Sequence, residues 1–283
     1  MNREEREPKI RRILVAVDAS PNSLAALQTA GELARRFDAE LLGLFVEDMN
    51  LLRLAGLPFV QEVGVFSARR RHLDATDIER QIRVQAQRAE QSFTTFVQRI
   101  EIRGEFRVAR GPVPTEVISA ASDVDLVILG KSGLAQPQGS RLGSTVRALI
   151  EEMPGMTMIL QNGAALGFPL VVVYDETPLA EKTLNVAVKL VEKEESGFLT
   201  LLIAAKDKEA CNNLQEKAQD ITSDLPLIVR YRQLSKSTAA KVAHRIQMEE
   251  RGTLILPGNR SLLEDEAVLS LLAKIEVPVL IVS

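Results

Sequence analysis

The residues best suited to chemistry lie in a polar stretch that follows a short apolar run at residues 126–129. Such a run is typical of a buried parallel strand. The stretch contains three glycines and then two hydroxyl residues at the expected start of a helix: Gly130, Gly133, Gly143, Ser144 and Thr145. Glycine lets main-chain N–H groups turn inward, and a helix N-terminus adds the positive end of its dipole. The order of strand, glycine loop and helix therefore predicts a site for a phosphate.

Two other interpretations of this stretch exist. Gly130-Lys131-Ser132 looks like the end of a GxxxxGK[ST] phosphate-binding loop, but that motif needs a glycine where this chain has Asp125. The motif is therefore excluded. A surface loop without a ligand is the second alternative.

Length and composition limit the class of protein. The 283 residues, 46% of them hydrophobic, suffice for one large or two ordinary domains. A single cysteine, Cys211, excludes an internal disulfide and a multi-cysteine metal site, which fits a reducing cytoplasm. His72 and His244 are isolated from other metal ligands in the sequence, so we predict no metal site built from protein side chains.

The net charge and the lengths of the apolar runs limit which classes of partner the protein is expected to bind. A net charge of −3 gives no electrostatic reason to expect nucleic-acid binding. The N-terminus is charged, and no apolar run approaches the roughly 20 residues that cross a bilayer. We therefore expect a cytoplasmic protein without membrane insertion.

Hydrophobic periodicity predicts alternating strands and helices in the first half of the chain. Predicted strands cover 12–18, 40–46, 105–109, 126–129 and 156–160, and predicted helices cover 21–37, 75–103, 115–122 and 143–153. Residues 48–75 interrupt this alternation with an apolar segment that ends in three arginines. We interpret that segment as an irregular insertion that either folds over its own domain or acts as a lid or docking surface.

The pattern restarts after a small, polar linker at residues 161–167. The sequence PLVVVYD at 169–175 corresponds to ILVAVD at 13–18, so Asp175 stands where Asp18 stood. Predicted strands follow at 198–204, 227–231, 253–256 and 277–282, with predicted helices at 179–191, 208–221, 238–250 and 264–275. Internal duplication explains this repetition. The second copy has Gly258 in place of Gly130 but lacks the other glycines, and its last helix begins with carboxylates.

The spacing G-x2-G-x9-G-[ST], met by Gly130, Gly133, Gly143 and Ser144, resembles the ATP-binding signature of the universal stress protein family. The resemblance implies an α/β fold of two tandem doubly wound domains, each a five-stranded parallel sheet of order 3-2-1-4-5 flanked by helices. The expected boundaries are 1–160 for an ATP-binding domain, 161–167 for the linker and 168–283 for a degenerate domain without the glycine loop.

The same resemblance assigns roles to residues at the ends of the strands. Asp18 would contact adenosine, and the main chain at Val46 would meet adenine. The glycines, Ser144 and Thr145 would hold the phosphates together with Mg²⁺. The remaining residues expected to line the site are Ala16, Val17 and Leu129.

The resemblance implies an ATP-binding stress-response regulator or adaptor with at most slow hydrolysis. No nucleophile is paired with a base, so we expect no catalytic residue. An adenylating enzyme of related architecture and a nucleotide-free scaffold are the alternatives. The expected partners are ATP, a downstream protein that the sequence does not identify, and a second domain or chain, in an intramolecular pseudo-dimer or a homodimer.

Overall fold

The structure is a computed structural model of the chain. It describes residues 10–18, 20–57, 61–63, 70–72, 75–131, 142–152, 155–160, 164–192, 198–223, 227–235, 239–248, 252–258 and 265–283.

Strands and helices alternate in the first half of the chain, as its hydrophobic pattern predicts. In chain order they are β1 (Arg12–Ala16), α1 (Pro21–Phe37), β2 (Glu40–Asp48), α2 (Met49–Ala55), β3 (Gln61–Val63), β4 (Arg70–His72), α3 (Ala75–Ile100), β5 (Gly104–Gly111), α4 (Val113–Ala121), β6 (Leu126–Gly130), α5 (Ser144–Glu152) and β7 (Met156–Leu160).

The second half repeats the order. Its elements are β8 (Leu170–Tyr174), α6 (Pro178–Val191), β9 (Phe198–Ala205), α7 (Lys208–Thr222), β10 (Ile228–Ser235), α8 (Ala239–Met248), β11 (Thr253–Pro257), α9 (Asp265–Lys274) and β12 (Val279–Val282).

Ten of the described strands form one sheet in the order β10-β9-β8-β11-β12-β7-β6-β1-β2-β5. Within each half the neighbours are parallel and the order is 3-2-1-4-5 in that half's own numbering. The predicted fold class is therefore confirmed. The domain boundaries at 160 and 168 stay a prediction.

The two halves meet at their last strands. Strands β7 and β12 pair antiparallel, with Met158 opposite Leu280. Arg36 at the end of α1 adds a contact, because its Nη1 donates to the carbonyl oxygen of Leu190 in α6 at 2.6 Å. The last strands of the two halves thus pair within one chain. Association of two whole chains stays a prediction.

Both faces of the sheet are covered by apolar layers. One layer contains buried residues of α1, α3, α6 and α7, and the other contains buried residues of α4, α5, α8 and α9. Buried parallel strands such as LVILG in β6 and LVVVY in β8 therefore read as continuous apolar runs.

Helix α1 begins and ends as its sequence predicts. Ser20 is its N-cap and accepts the N–H of Ser23 at 3.1 Å, and Pro21 occupies the first turn. The helix ends at Asp38, which has a left-handed φ of 53°. The cap places Asp18 and Ser20 at the carboxyl end of β1.

The segment at 48–75 differs from the irregular insertion that we predicted. Strand β2 continues to Asp48, whose carboxylate accepts the N–H of Asn50 at 2.9 Å and caps α2. Strands β3 and β4 form a separate antiparallel pair. Periodicity missed α2 because a helix of seven residues is too short to show a clear apolar stripe. Residues 58–60, 64–69 and 73–74 of this segment lie outside the described residues.

Candidate functional site

A cavity of about 560 Å³ opens at the carboxyl ends of β1, β2 and β6. Strand β1 lies between β2 and β6, and the helices that follow β1 and β6 cover opposite faces of the sheet, α1 on one face and α5 on the other. Such a switch point is where doubly wound sheets bind ligands, because the loops on either side diverge and leave a crevice. The volume lies within the range of small-molecule and cofactor sites.

The structure brings nine of the ten predicted site residues to this cavity. They are Ala16, Val17, Asp18, Val46, Leu129, Gly130, Gly143, Ser144 and Thr145. The tenth, Gly133, lies outside the described residues, as does most of the glycine loop. Residues more than 120 positions apart therefore meet at one place, which parallel pairing of β1 with β6 explains.

The start of α5 forms the polar end of the cavity. The carbonyl oxygen of Gly143 accepts the N–H of Arg147 at 3.2 Å, so Gly143 is the N-cap of this helix. Helical geometry leaves the N–H groups of Ser144, Thr145 and Val146 without an acceptor inside the helix. All three residues line the cavity, and their free donors suit an anion.

Gly143 keeps this end open. A Cβ built on Gly143 would meet only the carbonyl oxygen of Lys131, at 3.5 Å, which is an ordinary contact. The N–H of Gly143 donates to that same oxygen at 3.1 Å. Among the described residues, nothing lies closer to the position of this Cβ, and the missing side chain leaves room beside the first turn of α5.

A second helix start faces the same space. Helix α4 follows Pro112, which has no side chain able to cap the helix, and residues 112–115 line the cavity. The residues that precede α4 and α5 are thus a proline and a glycine, and neither has a polar side chain that could cap the helix. Both helix N-termini contribute residues to the same cavity.

The carboxylates at the cavity are tied to the backbone near them. Asp18 Oδ1 accepts the N–H of Ser20 at 3.0 Å, and Asp48 accepts the N–H of Asn50. Glu47 lies 3.9 Å from Arg110 Nε of the neighbouring strand β5. The guanidinium of Arg110 partly offsets the charge of Glu47, and the N-terminus of α2 partly offsets the charge of Asp48.

The part of the cavity formed by β2, α2 and α3 is lined mainly by apolar residues, and it also contains Asp48, Asn50 and Gln85. The residues here that the sequence did not assign to the site include Leu44, Phe45, Leu51, Ile82 and Gln85. Ile82 belongs to the apolar stripe of α3, but no local pattern indicates that this part of the stripe faces a cavity. Only the tertiary packing places α2 and α3 together at the carboxyl ends of β1 and β2.

The second half differs at the corresponding positions. Asp175 is buried, and its Oδ1 accepts hydrogen bonds from the N–H and the hydroxyl of Thr177, much as Asp18 accepts the N–H of Ser20. Tyr174 stands where Val17 lines the cavity; both side chains are buried, and the tyrosine is the larger of the two. Burial, and secondarily the charges of Glu181 and Asp175, raises the pKa of Tyr174 to about 12. The alignment of PLVVVYD with ILVAVD was the sequence signal for this substitution.

In the part of the chain that the structure describes, no group of three or more His, Cys, Asp or Glu side chains is arranged to hold a metal ion. No helix among the described residues is both long enough and apolar enough to cross a bilayer. The single cysteine, Cys211, is buried in α7.

Comparison with known proteins agrees with this geometry. The model of the universal stress protein family matches residues 9–161. Comparison with curated protein sequences gives no significant match.

Solved structures resemble the whole chain. A universal stress protein from Archaeoglobus fulgidus DSM 4304 superposes with a TM-score of 0.72 and 17% identity, over 96% of this chain and 98% of that one. A functionally unknown protein from Pseudomonas aeruginosa PAO1 gives a TM-score of 0.59 and 13% identity, over 96% and 92%. At such identities the likeness shows the fold alone.

Proposed function

The chain belongs to the universal stress protein family, and from this premise we propose that it is a cytoplasmic stress-response regulator whose first half binds ATP. One observation carries the proposal: the cavity at the ends of β1, β2 and β6 has a largely apolar part between β2, α2 and α3, and a part lined by the first turn of α5, whose N–H groups have no acceptor inside the helix. A nucleoside triphosphate has the same division, with a flat, weakly polar base and a strongly anionic tail.

In the proposed complex the phosphates lie at the start of α5. The N–H groups of Ser144, Thr145 and Val146 would donate to phosphate oxygens, and Gly130 would allow close approach of the tail. The nucleoside would lie toward Asp18 and Val46. Mg²⁺ would arrive bound to the phosphates, which is the usual way this ion is held at nucleotide sites.

We propose binding with at most slow hydrolysis. Asp18, Asp48 and Lys131 are the titratable residues among the described cavity lining. The two carboxylates each accept a main-chain N–H, and the Lys131 amine donates to carbonyl oxygens of the second half. Positioning an attacking water would require a group that is free to do so.

A thermal and calorimetric titration with Mg-ATP tests the proposal. ATP at about 100 times its dissociation constant should raise the free energy of unfolding by about 2.7 kcal/mol. A G143A variant should melt at the wild-type temperature without ATP, because its new Cβ makes only an ordinary contact. It should bind ATP about tenfold more weakly, since the methyl group lies beside the donors of α5.

G155A is the matched control for this variant. A Cβ at Gly155 would likewise meet only carbonyl oxygens, at 3.7 and 3.8 Å, and Gly155 lies before β7, away from the cavity. G155A should therefore bind ATP as the wild type does. A wild-type protein that shows no response to ATP would contradict the proposal and favour a nucleotide-free scaffold. Rapid release of pyrophosphate would favour an adenylating enzyme instead.

A further inference from the structure

Lys131 has a buried side chain that crosses from the first half of the chain to the second. It follows the last residue of β6, and only 9% of its surface is exposed. Its Nζ donates to the carbonyl oxygens of Ala273 and Ile275, at 3.3 Å each. These carbonyls lie at the C-terminus of α9, so the amine caps a helix of the other half.

The main chain of Lys131 belongs to the candidate site. Its N–H donates to the carbonyl oxygen of Leu160 in β7 at 2.8 Å, and its carbonyl oxygen accepts the N–H of Gly143 at 3.1 Å. The same residue therefore begins the glycine loop and holds the residue at which that loop ends. A shift of Lys131 would move Gly143 and, with it, the first turn of α5.

The chemistry of the contact suits a buried lysine. The last carbonyls of a helix lack acceptable donors within the helix and carry its negative dipole end, which favours a cation. Burial lowers the pKa of Lys131, and the negative charge of Glu276 opposes that shift. A neutral amine would still have two N–H donors for the two carbonyls. Both carbonyl oxygens can therefore accept a hydrogen bond from Lys131 whether its amine is charged or neutral.

Helix packing adds a second connection along the same route. Helix α5, which starts at the candidate phosphate site, packs against α9. The buried residues Leu149 of α5 and Leu271 of α9 belong to one apolar layer. The hydrogen bonds from Lys131 to the end of α9 thus accompany a packing contact between α5 and α9, and both connect the first half of the chain to the second.

We propose that Lys131 is a positioning residue through which the second half of the chain sets the affinity of the first half for ATP. The inference rests on the proposed function. It gives the second half, which lacks the glycine loop, a role in the site: its helix α9 supplies the carbonyl oxygens that hold the residue at the loop entrance.

Calorimetric titration with Mg-ATP on the full chain tests the inference. K131M keeps the length of the side chain but removes its donors, and it should weaken ATP binding about tenfold, within the range of known couplings between sites. K182M is the matched control. Lys182 on α6 also donates to a main-chain carbonyl oxygen, that of Ser283, but lies away from the cavity. K182M should bind ATP with the wild-type dissociation constant.

Hydrogen exchange on the wild-type protein gives a second test that requires no variant. ATP should slow exchange of the amides in the last turn of α9, while those of α7, none of whose residues is among the described cavity lining, should not change. This measurement decides the question even if K131M fails to fold.

The outcomes separate the inference from the proposed function. Wild-type affinity in K131M, or unchanged exchange in α9 when ATP binds, would overturn the positioning role and leave ATP binding intact. If K131M binds ATP weakly but ATP does not change hydrogen exchange in α9 of the wild type, then Lys131 contacts the phosphates itself. That outcome also overturns the positioning role. A wild-type protein that does not bind ATP would overturn both.

Discussion

The titration of Tyr174 tests whether this side chain of the second half is closed to water. Its ring is buried at the position that Val17 holds in the first half. Removal from water raises the pKa of the phenol to about 12, against the value of about 10 for an exposed tyrosine. A pocket open to water at this place would leave the phenol free to ionise near its ordinary pKa.

The direction of the stability change follows from proton binding. Between about pH 10 and about pH 12 the unfolded chain loses the phenolic proton while the folded chain keeps it. The free energy of unfolding must therefore fall as the pH rises through this window. The two pKa values give a loss of about 1.4 kcal/mol at about pH 11, and a limit of about 2.7 kcal/mol above both values.

Two measurements check this prediction. The protein has two tyrosines and no tryptophan, so phenolate absorbance in a Y231F variant reports Tyr174 alone. Denaturant unfolding at about pH 9 and about pH 11 should show that the wild type loses about 1.4 kcal/mol relative to Y174F. A folded-state titration near pH 10, or equal pH dependence in wild type and Y174F, would refute the argument that this position is closed to water.

Two further predictions concern the packing of the sheet. T157V should raise the free energy of unfolding by about 1 kcal/mol, because the buried Thr157 hydroxyl in β7 has no hydrogen-bond partner among the described residues and valine has the same shape. An unchanged or lower denaturation midpoint would contradict this. G43A should lower the free energy of unfolding by about 1–3 kcal/mol, because its Cβ would lie 2.6 Å from the Phe93 ring and 2.7 Å from the Phe106 ring. The G155A variant is the control for G43A in the same denaturation experiment, and equal stability of the two would show that the rings move aside freely.

The order of strands and helices could be predicted from the sequence because it depends on local patterns. Runs such as those in β6 and β8 are apolar throughout, since parallel strands covered on both faces expose neither side. The glycines and the hydroxyl residues at the start of α5 likewise carry a local signal for an anion site. The repetition of ILVAVD as PLVVVYD indicated the duplication directly.

The contacts between distant segments could not be predicted in this way. Leu51 comes to the cavity because α2 follows directly on β2, and no local periodicity marks so short a helix. In the sequence, Lys131 is notable only because it looks like the lysine of a GxxxxGK[ST] loop, a motif that this chain does not complete. Its amine reaches the carbonyls of Ala273 and Ile275, more than 140 positions away, because β7 and β12 pair antiparallel and bring α5 beside α9.

The sequence by itself thus determined the main strands and helices and the repetition of their order, and it predicted which residues would hold an anion, because hydrophobic period, caps and glycine spacing act over a few residues. Only the tertiary structure decided which residues close the cavity, that Tyr174 is buried at the corresponding place, and that Lys131 bonds to the second half. Those facts depend on strand order and on the packing of side chains that are far apart in the chain, and no short stretch of sequence contains them.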